Sequence, residues 1–242
     1  MQNKYLCGIN MVRAFLQNYS ELVDRFYYAG KLSRRLDEIL PDSKNRRFSC
    51  EQVSLDSLES MVGSLVHQGV VISIRHFPTM SLDDLVVKLR KKEVHLRILI
   101  LDQVQDPQNL GACFRSAAAF GVHAIIVPDR NAVGITPVVA KVSSGACALV
   151  PLIKVKNLVR AIGLLKKNGL WVYATSEYAP DTLDKADMDR SVAWVMGGEE
   201  KGVRPLVLSQ CDAQFKIAVN KKFTTLNVAT ATGIVLHQTF IA

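Results

Sequence analysis

From residue 96 to residue 242 the chain alternates apolar runs with helical segments, and this alternation constrains its fold more than any other feature. Leu96–Leu101, Val122–Val127 and Leu170–Thr175 are each largely apolar. Runs of this kind are typical of parallel strands that are buried on both faces. Strands that alternate with helices build a mostly parallel sheet with helices packed on both sides. We therefore predict an α/β domain over residues 96–242.

Two elements near the end of this segment are predicted in detail. Phe215–Val219 is predicted to be the last strand of the sheet. Ala229–Phe240 is predicted to be the closing helix. Because this helix is apolar nearly all round, we expect it to be buried.

The first 76 residues form a second, smaller α/β unit in which short helices and strands alternate. Leu55–Val62 has helical spacing, and Asn45–Phe48 is predicted to be a strand. The polar faces of this unit carry clusters of basic side chains that are able to contact phosphate. We single out four arginines of these clusters: Arg34, Arg35, Arg46 and Arg47. A solvated basic face is the alternative for any single cluster.

A linker separates the two units. Phe77–Met80 contains a proline and no periodic pattern, and Ser81–Asp84 has the form of a capping box that opens a helix. We therefore assign residues 1–76 to a first domain, residues 77–95 to a linker and connecting helix, and residues 96–242 to the second domain.

The net charge favours a polyanionic partner. The chain of 242 residues carries a formal charge of +8, with a pI near 9.3, and nucleic acid is the leading candidate. A basic protein without such a partner is the alternative. The five cysteines are scattered and never form a CxxC pair, which indicates reduced thiols in a cytoplasmic protein. No apolar run is long enough to span a membrane.

The stretch from Val195 to Arg204 is the most distinctive local pattern. Gly197 and Gly198 follow an apolar strand and allow a sharp bend or a close approach to a ligand. Glu199 and a second carboxylate come directly after them. Such a pattern builds ligand sites at the carboxyl edge of a sheet, although a strand, a turn and a charged helix start form the simpler alternative.

Asp106 and Pro107 begin a helix in which Arg115 lies among small apolar residues. Because a buried guanidinium without a partner is costly, Arg115 must reach a carboxylate, a phosphate or water. A salt-bridged structural arginine is the alternative.

Several familiar chemistries are excluded. The five histidines have no metal-ligand spacing, and HExxH, GxSxG and the nucleotide-binding fingerprints are absent, so we expect no metal. Polar spots remain at Asn109 with Arg115, at Gly197–Gly202, and at Thr225 with Asn227. These groups include no good nucleophile, which favours a site that positions two bound reactants.

Four segments together resemble the motifs of the SpoU (TrmH-type) RNA ribose 2′-O-methyltransferases. They are Asp106–Ser116, Lys141–Ala146, Val195–Gly202 and Thr225–Gly233. The resemblance is closest to the branch that methylates a guanosine of large-subunit (23S) ribosomal RNA. Gly8-Ile9-Asn10 and His67-Gln68-Gly69 resemble the small ribosomal-protein-like RNA-binding domain of that family.

This resemblance implies a C-terminal α/β trefoil-knot domain, S-adenosyl-L-methionine as methyl donor, and a homodimer. The implied cofactor-binding residues are Gly197, Ile217, Leu226, Thr175 and Gly198. The implied catalytic residues are Arg115, closest to the ribose hydroxyl, with Asn109, Glu199, Thr225 and Asn227. Within the N-terminal domain it adds His67 and Gln68 to the RNA-binding residues.

Two other functions remain open at this point. The first is a methyltransferase of the same family that acts on transfer RNA. The second is a non-catalytic RNA-binding assembly factor that has kept the fold. Asn109, Arg115, Glu199 and Asn227 together argue against the second, because binding alone does not need all four.

Overall fold

The computed structural model describes residues 4–30, 47–63, 66–91, 93–198, 202–220, 222 and 225–241. The chain divides into two units, of which the first comprises residues 1–78 and 135–149 and the second residues 79–134 and 150–242. The short segment 135–149 therefore packs with the N-terminal residues.

The first unit is built on a four-stranded sheet with the order β1-β4-β2-β3. Its elements are β1 (Lys4–Cys7), α1 (Ile9–Tyr19), β2 (Val23–Ala29), β3 (Ser49–Val53), α2 (Leu55–Val62), β4 (Val70–Ile74) and, from the segment 135–149, α5 (Pro137–Val142). β4 runs antiparallel to both β1 and β2, whereas β2 and β3 are parallel. Every residue of the central strand β4 is buried, which places the core of the unit around it.

Local sequence accounts for the helices of this unit. Gly8 precedes α1 with a φ of 89°, a conformation that costs glycine little. The Ser54 hydroxyl accepts a hydrogen bond from the Ser57 amide and caps α2, whose bounds agree with the predicted helix. The predicted strand Asn45–Phe48 is wrong where it is described: Arg47 and Phe48 are not in a strand, and β3 begins only at Ser49.

The second unit contains a seven-stranded sheet with the order β7-β6-β5-β10-β8-β11-β9. Its strands are β5 (Arg97–Asp102), β6 (Ala124–Pro128), β7 (Leu152–Val155), β8 (Trp171–Thr175), β9 (Asp181–Thr182), β10 (Val192–Gly197) and β11 (Ala213–Lys216). Its helices are α3 (Leu82–Lys91), α4 (Pro107–Ala119), α6 (Leu158–Lys167), α7 (Pro205–Leu208) and α8 (Val228–Ile241). All neighbouring strands are parallel, as predicted.

Helices cover this sheet on both faces. Successive strand residues point to opposite sides, and apolar residues on each side pack against helices. Ile98 and Val195 belong to a core cluster that also holds Leu85 of α3 and Leu165 of α6. The neighbouring residue Trp194 points to the other side, where its indole Nε1 donates a hydrogen bond to Thr239 of α8. The α/β architecture with a parallel sheet is therefore confirmed.

The helix starts of the second unit follow the predicted caps. The Ser81 hydroxyl accepts from the Asp84 amide, and the Asp84 carboxylate accepts from the Ser81 amide, which completes the capping box. The Asp106 carboxylate accepts from the Gln108 amide, with Pro107 as the first residue of α4.

Two predictions for the C-terminal elements need correction. The last strand ends at Lys216, so that Ile217–Val219 leaves the sheet. α8 is buried on one side only, since Ile234 and Phe240 are 40% and 51% exposed. Composition alone does not report this asymmetry, because apolar side chains lie on both faces of the helix. In the described part of the chain no helix is long and apolar enough to cross a bilayer.

The Trp194–Thr239 contact is expected to contribute measurably to stability. The Thr239 hydroxyl is buried, accepts from the Trp194 indole at 2.9 Å, and donates to the Val235 carbonyl at 2.7 Å. Thr239→Val keeps the shape and leaves the indole N–H without a partner, which costs about 1–3 kcal/mol in the free energy of unfolding. Urea denaturation measures this loss. Thr230→Val, on the exposed side of the same helix, is the control and should change stability by less than about 0.5 kcal/mol.

Candidate functional site at the carboxyl edge of the sheet

Several predicted site residues of the second unit lie at one edge of the sheet. Because β5, β8, β10 and β11 are parallel, their carboxyl ends lie on the same side. Thr175 ends β8, Gly197 ends β10, and Ile217 directly follows β11. Open parallel sheets bind ligands outside this edge.

Three of the five predicted cofactor-binding residues line one pocket of about 490 Å³: Thr175, Ile217 and Leu226. Ser176, Glu177 and Lys216 add a hydroxyl, a carboxylate and an ammonium group to its lining. The walls also include apolar side chains that are partly open to solvent, since Val219 and Leu226 are each 38% exposed. The pocket therefore combines apolar surface with a few polar groups, as pockets for small organic ligands do.

The other two predicted cofactor residues, Gly197 and Gly198, lie on the neighbouring strand end. The Thr175 hydroxyl donates to the Met196 sulfur at 3.5 Å, which joins the end of β8 to the residue before Gly197. The structure thus places these glycines beside the pocket without making them part of its described lining.

Both glycines are required because other backbone segments come very close. A Cβ atom on Gly197 would lie 2.0 Å from the carbonyl carbon of Gly202 and 2.2 Å from the amide nitrogen of Val203. A Cβ atom on Gly198 would lie 2.6 Å from the carbonyl oxygen of Gln103. The close approach that the sequence predicts at these glycines is therefore an approach between segments of the backbone.

Asp102, at the end of β5, holds the segment that follows β10. Its fully buried carboxylate accepts hydrogen bonds from the Arg204 backbone amide at 3.0 Å and from Arg204 Nε at 2.9 Å, and it lies 2.8 Å from Arg204 Nη2. Its backbone carbonyl accepts from the Gly198 amide at 2.9 Å. One residue therefore anchors the chain both at Gly198 and at Arg204. A buried charge is stable only when it is paired and hydrogen-bonded in this way.

The sequence analysis assigned no role to Asp102 or to the side chain of Arg204. A signal for Asp102 existed, since a carboxylate ends a strand that is otherwise almost wholly apolar. Its partner lies 102 positions away in the sequence, and no local pattern joins the two.

Asn109 and Asn227, which belong to two separate motifs, are in contact. The Asn227 side-chain amide donates to the Asn109 Oδ1 at 2.9 Å. The Asn227 Oδ1 in turn accepts from the Ala229 amide at 2.9 Å and so caps the first turn of α8. Asn109 lies in the first turn of α4, and this contact therefore fixes the starts of the two helices relative to each other.

Arg115 is exposed and not buried among the small residues that surround it in sequence. Within the described residues its guanidinium makes no hydrogen bond or ion pair, so the salt-bridged structural role has no support there. Six positions at about 1.5 Å each put it about 9 Å further along α4 than Asn109. Thr225 is also exposed, and Glu199 lies outside the described residues.

Two of the five cysteines are poor nucleophiles. Burial raises the pKa of Cys147 to about 11 and that of Cys211 to about 12, so both thiols stay protonated at neutral pH. Among the described residues no group of three or more His, Cys, Asp or Glu side chains is arranged to hold a metal ion. The described groups at the edge are amides, hydroxyls, carboxylates, guanidinium groups and the ammonium group of Lys216.

The predicted RNA-binding residues of the first unit are placed in part. Arg47 is exposed. His67 Nδ1 accepts from the Gly69 amide at 3.0 Å, and Gln68 Oε1 accepts from the Ile9 amide at 2.9 Å and so caps α1. Both side chains therefore have a structural task in the turn before β4. The other three lie outside the described residues: Arg34, Arg35 and Arg46.

His67 and Gln68 also line a cavity of about 820 Å³ in the first unit. Asp56 and Glu59 line the same cavity, and their carboxylates disfavour a phosphate there. RNA contact at His67 and Gln68 stays a prediction, and base edges or ribose hydroxyls suit this cavity better than phosphates.

The Asp102–Arg204 pair yields a direct stability test. Arg204→Met keeps the apolar stem and leaves the buried Asp102 carboxylate without its cation, and we expect a loss of about 3 kcal/mol in the free energy of unfolding. Urea denaturation followed by circular dichroism measures it. Lys185→Met removes the exposed pair with Asp184, whose atoms lie 3.8 Å apart, and should cost less than about 1 kcal/mol. Equal losses in the two variants would contradict the role assigned to Asp102.

Known proteins resemble this chain over nearly its whole length. Residues 96–237 match the model of the SpoU rRNA Methylase family, and residues 5–80 match the model described as RNA 2′-O ribose methyltransferase substrate binding. The 23S rRNA (guanosine-2′-O-)-methyltransferase RlmB of Nitrosomonas europaea is 38% identical, with 98% of this chain and 91% of that protein aligned. RlmB of Yersinia pestis is 36% identical, with 98% and 96% aligned.

A solved structure shares the fold at low sequence identity. It is that of the SpoU methyltransferase AviRb from Streptomyces viridochromogenes in complex with AdoMet, which superimposes with a TM-score of 0.81 at 19% identity over 99% of this chain and 89% of that one. The parallel sheet, the motif residues at its carboxyl edge and these matches agree. The chain belongs to the SpoU rRNA methylase family.

Proposed function

We propose that this protein transfers the methyl group of S-adenosylmethionine to the ribose 2′-hydroxyl of a guanosine in 23S ribosomal RNA. The observation that carries the proposal is the grouping of the predicted residues at one sheet edge, where the Asn109–Asn227 pair lies at the start of the helix that carries the exposed Arg115. Relatives named for this reaction are 36% and 38% identical over nearly the whole chain, which supports the same substrate class here.

The pocket between the ends of β8 and β11 fits the methyl donor by size and chemistry. Leu226 and Val219 provide apolar surface for an adenosine, and Thr175 and Glu177 provide a hydroxyl and a carboxylate suited to ribose hydroxyls. We propose that Thr175, Ile217 and Leu226 hold the donor, with Gly197 and Gly198 contributing backbone groups. When bound, S-adenosylmethionine supplies an electrophilic methyl group on a sulfonium centre.

The chain then has to align the ribose hydroxyl and help to remove its proton. Arg115 is a poor general base because a guanidinium stays protonated at neutral pH. We propose that Arg115 binds a phosphate of the RNA bidentately and that this phosphate assists the deprotonation. The Asn109–Asn227 pair holds the ribose side of the site in place, and Glu199 and Thr225 complete it.

The substrate docks through the N-terminal residues in this proposal. Residues 1–76 form the RNA-binding domain, residues 77–95 connect the domains, and residues 96–242 carry the reaction. The family models matched to residues 5–80 and 96–237 support this division. We also propose that the second domain carries the trefoil knot of the family and that the protein works in the cytoplasm.

We further propose a homodimer formed through α8. Ile234 and Phe240 lie on an exposed side of this helix that is otherwise formed by Thr230 and His237. Exposed apolar side chains at helical spacing are typical of surfaces that bind a partner. The resemblance of the motifs to the family implies a homodimer, which supports this proposal.

Arg115→Ala should reduce methyl transfer at least about a thousandfold, because the group that positions the substrate phosphate is lost. The affinity for S-adenosylmethionine, measured by calorimetry, should change by less than about twofold, since Arg115 does not line the pocket. Arg90→Ala, which removes an exposed arginine bonded to Asn168, is the matched control. Equal loss of cofactor binding and transfer in Arg115→Ala would refute its assignment.

Ile234→Asp should shift the protein from dimer to monomer, because a carboxylate at a dry interface is costly. Sedimentation velocity at micromolar concentration reports the change in mass. Val87→Asp, which changes an exposed apolar residue of α3, adds the same charge on another helix and should leave the dimer intact. A wild-type protein that sediments as a monomer would exclude the proposed interface.

The proposed reaction is tested with labelled S-adenosylmethionine and ribosomal RNA from cells that lack this gene. We expect label on the ribose of one guanosine of 23S RNA after nuclease mapping. Label in transfer RNA alone would show that transfer RNA, and not 23S RNA, is the substrate. Cofactor binding without any labelled RNA would refute the reaction, and RNA binding without cofactor binding would support an assembly factor.

A further inference from the structure

A second cavity of about 580 Å³ lies at the same edge of the parallel sheet, away from the pocket at β8 and β11. Residues that follow β6 and β7 form one side of it, among them Arg130 and Lys156. Arg204 and the short helix α7 form the other side. None of its lining residues belongs to the site described above except Arg204, whose carboxylate partner is Asp102.

The charges of this cavity are unbalanced. Arg130 and Lys156 are exposed, and neither is ion-paired or hydrogen-bonded within the described residues. Arg204 contacts Asp102 through Nε and Nη2, and its side chain is still 42% exposed. No described carboxylate lines the cavity, and the nearest acid in sequence, Asp129, lies outside its described lining. Two uncompensated cations in one concave site attract an anion.

The floor of the cavity is apolar. Pro128, Leu158 and Pro205 contribute to it, and Leu206 is 76% exposed although it is a large hydrophobic residue. Asn131, with a φ of 58°, turns the chain at the rim and adds an amide. Proteins that bind single-stranded RNA combine cations for the phosphates with apolar surface on which a base packs. The volume is also in the range of about 300–1,000 Å³ that is usual for ligands larger than a simple ion.

The position of the cavity relates it to the site. In the sheet, β6 is three strands from β8, through β5 and β10, which corresponds to about 14 Å at the usual spacing of strands. Asn109 lies in the helix that follows β5, and β5 is the neighbour of β6, so an RNA strand with one ribose beside Asn109 can extend flanking nucleotides over the ends of β6 and β7. Glu177 lines the other pocket, at β8 and β11.

We propose that this cavity binds a nucleotide of the RNA substrate that flanks the methylated one. Arg130 and Lys156 contact its phosphates, and Leu206 packs against its base. The identity of the substrate as RNA rests on the proposed function. The cavity itself is inferred from its charges, its apolar floor and its place in the sheet.

The test compares two double variants of the full chain that change the charge by the same amount. Arg130→Glu with Lys156→Glu alters the cavity, whereas Lys88→Glu with Lys91→Glu alters the exposed side of α3. RNA affinity is measured by filter binding to a 23S RNA fragment at several salt concentrations. Calorimetry measures the affinity for S-adenosylmethionine in the same proteins.

We expect the cavity variant to bind RNA at least about tenfold more weakly than the α3 variant. Its salt slope should fall by about 1.4 to 1.8, which corresponds to two lost phosphate contacts. The KM for RNA should rise with kcat nearly unchanged, and cofactor affinity should not change. Leu206→Ala should weaken binding about threefold or more without altering the salt slope, because it removes apolar contact and no charge.

Equal RNA affinity and equal salt slope in the two double variants would overturn the proposal. Guanosine monophosphate binding is measured as well. If it binds the wild type and binds the cavity variant more weakly, while the two double variants have equal RNA affinity, the cavity binds a free nucleotide and the proposal is overturned. Methyl transfer by the wild type reports separately on the proposed function. If the wild type is inactive but the two double variants still differ in RNA affinity, the proposed reaction is refuted and the RNA site is supported.

Discussion

The interactions of Asp102 organise the functional edge of this protein. A single residue at the end of β5 binds the Gly198 amide through its carbonyl and Arg204 through its buried carboxylate. These contacts hold the segment after β10 so close that neither Gly197 nor Gly198 tolerates a Cβ atom. Contacts with the end of β5 and with the segment after β10 therefore fix the position of the end of β10. The pocket lies beside this strand end.

The two sides of this sheet edge differ in charge and in the kinds of side chain that they carry. On the β8 and β11 side the pocket mixes hydroxyls, a carboxylate and open apolar side chains. On the β6 and β7 side the cavity carries cations above an apolar floor. Between them, the Asn109–Asn227 contact joins the starts of α4 and α8. Surfaces suited to a nucleoside-like ligand and to a polyanion therefore lie along one edge.

Much of this arrangement is predictable from the sequence because it depends on local patterns. The apolar run before Asp102 identifies a buried parallel strand, and the caps at Ser81 and Asp106 place two helix starts to the residue. Asn109 and Asn227 belong to two separate motifs that resemble a known family, and the structure shows a hydrogen bond between them.

The features that were missed or wrong depend on contacts between distant residues. The Asp102–Arg204 pair joins positions 102 residues apart, and the strand order that brings them together has no local signature. α8 was expected to be buried all round, but its apolar composition is shared between a face that packs on the sheet and a face left open. The basic cavity was not anticipated, because Arg130, Lys156 and Arg204 belong to three separate segments and meet only at the sheet edge.

Amide hydrogen exchange of the wild-type chain, with and without S-adenosylmethionine, tests the central claim most directly, namely that the strand ends beside Asp102 form the donor site. We expect S-adenosylmethionine to slow amide exchange in residues 175–179, 195–198 and 215–219 and at the start of α8. We expect little change around Arg130 and Lys156 or in residues 4–30. Protection confined to the β6 and β7 side, or to the first unit, would contradict the account.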